Sequence, residues 1–209
     1  MVETTRGRRI RGLDADQRRT RRREDLLAAA LDLFANTGYP NTTIEQICQA
    51  AYVGTKGFYE IFDSKEACYI ALLRQVSATI EARMVAVLHD APDGEAEATG
   101  MLLAAFAHAL VDDPRYARVT FGQAGGISPA VERQRRENRR WAAGFLTSVW
   151  RRYGAASDPR VERVAIGVIG GLFDLVADWL LDADPADPAA RDALLADFTA
   201  FYRAVRAGL

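Results

Sequence analysis

The stretch "AAYVGTKGFYEIFDSKE", residues 50–66, decides the fold. It places two glycines, a lysine and an aromatic-rich apolar run within about a dozen residues, too short for a domain and too apolar for a loop. "YVG" breaks a short helix over Ile44 to about Ala51, and a third helix of about two turns runs from Thr55 to Phe62 before "FDSK" breaks again. Two short helices joined by a tight glycine-containing turn are the outline of a helix-turn-helix.

Working outward, a first helix spans about Arg18 to Thr37, with Leu26, Leu27, Ala30, Leu31 and Phe34 on one face, and "TGYPN" stops it. Thr42 or Thr43 opens the second helix, because Glu45 or Gln46 lies three residues on, the spacing of a capping box. A fourth helix runs from about Ser64 to Leu88, ended by "HDAPDGEAE", a Pro/Gly/acid cluster that reads as a boundary. Further helices are expected at about 95–112, 114–122, 128–153, 159–182 and 187–206. No strand-like alternation of useful length occurs, so the fold class is all-α. The architecture is an N-terminal three-helix helix-turn-helix domain plus a larger helical domain, about nine helices in all. The expected divisions are a basic flexible arm at 1–17, a DNA-binding domain at 18–65, and an effector-binding and dimerisation domain at 66–209.

Composition bounds the function. The 209 residues are 49% hydrophobic and 26% charged, which suits one or two compact domains. Residues 1–65 hold 11 Lys+Arg against 9 Asp+Glu, and the rest of the chain holds 16 against 19. Nine of those 11 cations lie between Arg6 and Arg23, so the basic charge sits in the N-terminal arm, as in a segment that meets a polyanion. A solvated tail would look the same. Cys48 and Cys68 have neither metal-cage nor disulfide spacing, and no signal or transit peptide is visible. A reducing, cytoplasmic setting is the simplest expectation. The apolar run Val164 to Leu181 contains Asp174 and Asp178, costly in a bilayer, so it is expected to be a buried helix and no membrane partner is expected.

A helix-turn-helix works by placing side chains near the start of its second helix against base edges. Thr55 can donate or accept, Lys56 can reach guanine acceptors, and Gly57 lets a backbone approach closely. Phe58 and Phe62 are the apolar anchors. Tyr59 carries a hydroxyl at the end of a rigid ring that can reach a phosphate. Lys65 falls in the first turn of a helix, where the dipole disfavours a cation, and a phosphate would account for it.

"NTTIEQICQAAYVGTKGFYEIFDSKEACY" resembles the DNA-binding domain of TetR-type (tetracycline-repressor-like) transcriptional regulators, over roughly residues 20 to 75. By that resemblance Thr43, Tyr59 and Lys65 match phosphate-contacting positions, while Glu45, Thr55, Lys56 and Gly57 match positions that can face bases. Tyr52 stands where most relatives have Gly, and Gly54 where they have Ser or Thr. The resemblance also implies a homodimer formed through the last two helices, a double-stranded DNA operator, and a small apolar or aromatic effector between the middle helices.

The small residues Ala165, Gly167, Gly170 and Gly171 would let a partner helix approach, and the last helix offers Leu194, Leu195, Phe198, Phe201, Tyr202 and Val205. For an effector pocket the middle helices offer Met101, Phe106, Phe121, Trp141, Phe145 and Phe173, with His108, Gln123, Asn138 and Asp174 for polarity. The same aromatics at helical spacing equally build a core. No cofactor and no metal is expected, and with no nucleophile elbow, His-Glu metal pair or phosphate loop the chain is read as no enzyme. The expected function is a one-component regulator, a repressor that binds a near-palindromic operator and is released by its ligand. The alternative is a DNA-binding regulator with no small-molecule effector.

Overall fold

A computed structural model of the chain describes residues 14–122, 126–154, 158–185 and 187–208. Among them are nine helices and no strand: α1 (Ala15–Thr37), α2 (Ile44–Ala50), α3 (Thr55–Tyr59), α4 (Lys65–His89), α5 (Glu95–Val111), α6 (Pro114–Phe121), α7 (Pro129–Arg152), α8 (Pro159–Asp182) and α9 (Pro188–Arg206). The all-α expectation holds. The chain forms two compact units, Met1–Leu72 and Leu73–Leu209, and the division between them falls at a position within the span of α4.

Helix α1 begins earlier than its apolar stripe suggests. Asp14 caps it, accepting from the Gln17 backbone N–H at 2.8 Å while Gln17 Oε1 accepts from the Asp14 N–H at 3.0 Å. Residues 14–17, expected in the flexible arm, are therefore the cap and first turn of α1; residues 1–13 lie outside the described part. Helix α1 ends at Gly38, whose φ of 81° is in the region only glycine reaches without strain.

The choice at the start of α2 resolves by burial. Thr43 is the cap, reciprocally bonded with Gln46. Thr42 is buried, and its hydroxyl donates to the Gly38 carbonyl at 2.8 Å. Helix α3 is shorter than expected, ending at Tyr59 instead of Phe62. Phe62 still donates to the Phe58 carbonyl at 2.8 Å, so its ring turns inward from the exit of the helix. The core of this unit is made by Leu26, Leu27, Ile47, Phe58, Cys68, Tyr69 and Leu72, all nearly inaccessible. Tyr69 meets Phe34 edge-on at 5.1 Å. Phe58 and Phe62 are thus the anchors expected of them.

In the second unit Pro opens α6, α7, α8 and α9, each behind an Asp or Ser cap. Proline lacks the N–H that the first turn leaves unpaired in any case. Trp150 is fully buried, and its indole N–H donates to the Tyr202 hydroxyl at 2.7 Å, joining α7 to α9. Helix α8 is long and apolar enough to cross a membrane, but Ala165, Val168, Ile169, Leu172 and Val176 are buried within this unit, in one cluster with Trp150 and Phe198. The small residues of α8 divide in use. A Cβ on Gly171 would lie 2.4 Å from Phe201 Cζ, so that glycine is required for α8 to meet α9 in the same chain. Ala165 is buried, whereas Gly167 and Gly170 border open space.

Candidate nucleic-acid interface

The turn between α2 and α3 is a Schellman motif. The Val53 N–H donates to the Cys48 carbonyl at 2.9 Å and the Tyr52 N–H to the Gln49 carbonyl at 3.2 Å. This pairing demands a left-handed residue at position 52, and Tyr52 has φ 53°, the only such non-glycine residue among those described. Its side chain is 98% exposed, so the ring gains no packing in return.

The turn presents the start of α3 outward. Thr55, Lys56 and Tyr59 are exposed on α3, and Thr43 and Glu45 on the first turn of α2. Tyr59 packs its ring edge against Phe58 at 5.6 Å, which fixes the ring while leaving the residue half exposed. Behind α3, Arg22 of α1 pairs with Glu60 at 2.6 Å, and the Arg23 guanidinium lies 5.9 Å from the centre of the Phe62 ring. These cross-links hold α3 against α1 while Arg19 and Arg21 remain exposed.

Two of the expected contacts have other uses in the structure. A Cβ on Gly57 would lie 3.0 Å from Val53 Cγ1 and 3.4 Å from Arg22 Cδ. The missing side chain therefore points into the α1–α3 junction, where a Cβ would press on Val53 and Arg22. Lys65 is half-buried, and its ammonium donates to the Tyr39 carbonyl at 2.8 Å and the Thr42 carbonyl at 2.7 Å. It also sits 4.3 Å from the centre of the Tyr39 ring. Burial lowers its pKa. The cation at the start of α4 is explained by two carbonyls that it ties to the entry of α2, with one donor left over.

The expected pocket residues separate in the same way. A cavity of about 80 Å³ lies within the second unit, and Phe106, Trp141, Phe145 and Phe173 line it. Phe121 packs on Phe173 at 4.8 Å, behind the wall. Met101 and Asp174 are exposed in the single chain, and His108 faces solvent, paired with Asp112 at 3.0 Å. Asn138 accepts from Gln134 at 2.9 Å. None of these five lines the cavity, because each falls on the outer side of its helix or is held by a neighbour. Gln123 lies outside the described residues. Thr99, Leu102, Ile169 and Tyr202 line the cavity and were not foreseen; their spacing on α5, α8 and α9 was the available signal. No group of three or more His, Cys, Asp or Glu able to hold a metal occurs among the described residues.

A capped short helix, a Schellman turn and an outward-facing second short helix, all seated on α1, define a helix-turn-helix unit of the DNA-binding kind. Residues 26–72 match the family model of bacterial regulatory proteins, tetR family. It is 41% identical over 75 residues to the HTH-type transcriptional regulator RutR of Escherichia coli; the match covers 36% of this chain and only 32% of RutR. The whole fold is similar to a TetR-family transcriptional regulator from Syntrophomonas wolfei, with TM-score 0.75 and 19% identity over 91% of this chain and 97% of that one. It is also similar to the transcriptional regulator FadR of Bacillus subtilis in complex with stearoyl-CoA, with TM-score 0.69 and 18% identity over 84% and 97%. At these identities the structural likeness is one of fold.

Proposed function

We propose that the chain is a one-component transcriptional repressor that binds a near-palindromic operator as a homodimer in the cytoplasm and is released by a small apolar ligand. The observation that carries this reading is the outward row Thr43, Glu45, Thr55, Lys56 and Tyr59 on a unit whose own core is complete without them. Exposed side chains outside the core, aligned at the starts of two short helices, are what base and phosphate readout requires. Thr55 and Lys56 face bases; Thr43 and Tyr59 hold phosphate. Arg19 and Arg21 add unspecific attraction to the backbone.

Dimerisation through α8 and α9 is supported by Gly167 and Gly170, which leave room for a close-packed partner helix, and by Ile166 and Leu181, both exposed on α8. Two recognition helices in a dimer read half-sites roughly 34–36 Å apart. A ligand that favours a different separation must weaken operator binding by the same free energy with which the operator weakens the ligand.

Selection of bound fragments from genomic DNA tests the reading. A recurrent near-palindromic sequence is the expected result, and Lys56→Ala should shift its consensus. Recovery of fragments with no shared sequence would overturn it.

A further inference from the structure

We propose that Tyr52 is a further DNA contact, its hydroxyl donating to a backbone phosphate on the strand that flanks the groove entered by α3. This deepens the reading of the first unit as a DNA reader and rests on it.

Two unfavourable features meet at this residue, and the fold offsets neither. Its backbone is left-handed, at φ 53°, a conformation that glycine takes freely and tyrosine does not. Its side chain is 98% exposed, against 78% for Leu181, the next most open of the large apolar and aromatic side chains. Among the described residues none bonds its hydroxyl. A strained residue that gains nothing within the fold points to a contact made with something outside it.

The surroundings say which partner that is. Tyr52 and Lys56 border one notch, with Gly54 between them in sequence and open space where its Cβ would stand. The ring therefore stands beside the residue proposed to read bases. On its other side it borders a hollow lined by Arg18, Arg21 and Arg22 of α1. Of the three acids in these hollows, Asp25 pairs with Arg21 at 3.1 Å and Glu60 with Arg22 at 2.6 Å, and the third is Asp32. Lys56 has no ion-pair partner among the described residues. Tyr52 lies three residues ahead of Thr55, outside the helix that enters the groove, so it meets the strand at the edge of the groove and not the bases within it. A phenol suits that place: it is rigid, loses little freedom when held, and donates to phosphate oxygens.

The test compares the full-length parent with Tyr52→Phe and Tyr52→Asn by fluorescence anisotropy, on a duplex recovered by genomic selection and on a scrambled duplex of the same composition. Phenylalanine removes only the hydroxyl, and asparagine accepts a left-handed backbone without the ring. Both variants should bind both duplexes about 10-fold more weakly, with the ratio between the duplexes unchanged, because a phosphate carries no sequence. The salt dependence should keep its slope, since a neutral phenol releases no counterions. Thermal melting should be unchanged for Tyr52→Phe and raised for Tyr52→Asn, so weaker binding does not come from a damaged fold. Parent-like affinity in Tyr52→Phe would overturn the proposal and leave the repressor reading intact. A loss confined to the recovered duplex would also overturn it, by making Tyr52 a base reader. If the parent binds both duplexes equally, the repressor reading fails and Tyr52→Phe still decides the phosphate contact; if it binds neither, both fail.

Discussion

In the first unit, the five residues proposed to meet DNA, from Thr43 to Tyr59, are all exposed. In the second unit, the cavity draws on residues from Ile80 to Tyr202, and its walls are buried and half-buried side chains from five helices. The first site can change at small cost to the fold, because its residues lie outside the core and give up only the Thr43 cap and the contact of Tyr59 with Phe58. The second cannot do so as freely, because most of its wall residues belong to the core clusters or pack against them. A readout surface and a ligand chamber therefore tolerate substitution differently within one chain, and substitutions can show whether that division is real.

Phe58→Ala is the largest break. It should cost about 3–5 kcal/mol and abolish DNA binding, while the ordering of Trp150 against Tyr202, read by near-ultraviolet circular dichroism, persists. Simultaneous loss of both signals would mean that the two units do not melt independently.

Lys65→Met should cost about 1–3 kcal/mol, because two carbonyls lose a charged donor. Chemical denaturation of the first unit reads this directly. If stability is unchanged and only the salt dependence of DNA binding falls by about one unit of slope, Lys65 is a phosphate contact and not a strut.

In the second unit, the Arg115 guanidinium and backbone N–H beside Asp113 hold its carboxyl below the usual carboxylate value, against the opposing effect of burial. A depressed carboxyl contributes stability that is fully present above its unfolded pKa and is lost as pH falls through the folded one. Asp113→Ala should remove the α6 cap at a cost of about 1 kcal/mol, with the difference from the parent shrinking in acid. A difference that stays constant down to pH 2 would contradict this.

Tyr52→Gly gives the smallest change in stability and the opposite sign. A left-handed Tyr is strained and packs on nothing, so glycine should stabilise the first unit by about 0.5–1 kcal/mol. Destabilisation would show that the ring makes contacts the structure lacks. No change at all is expected when the folded chain meets iodoacetamide: burial pushes the Cys68 thiol up to about 12 and also raises that of Cys48. Rapid labelling of either would reveal an open first unit.

The contrast also explains what could be read in advance. Local chemistry was legible: a threonine cap on α2 at 42 or 43, the anchors Phe58 and Phe62, and the outward Thr55, Lys56 and Tyr59 follow from contiguous residues. Lys65 was recognisable as a misplaced cation, but its carbonyl partners lie 26 and 23 residues upstream. Those distances depend on how α4 packs, which no local pattern encodes. Tyr52 hid a Schellman turn because glycine, its usual marker, was absent. On α5, "EAEATGMLLAAFAHALV" is apolar around most of its circumference. Periodicity there could not separate exposed Met101 from buried Thr99, and a small polar residue was passed over for a large apolar one.

The central claim is that the outward row on α2 and α3 reads a specific sequence. Fluorescence anisotropy of the full chain, titrated at physiological salt onto a duplex recovered by genomic selection and onto a scrambled duplex of the same composition, tests it. The recovered duplex should bind at least about 10³-fold more tightly, and Lys56→Ala should shrink that ratio. Equal affinity for both duplexes would contradict the account.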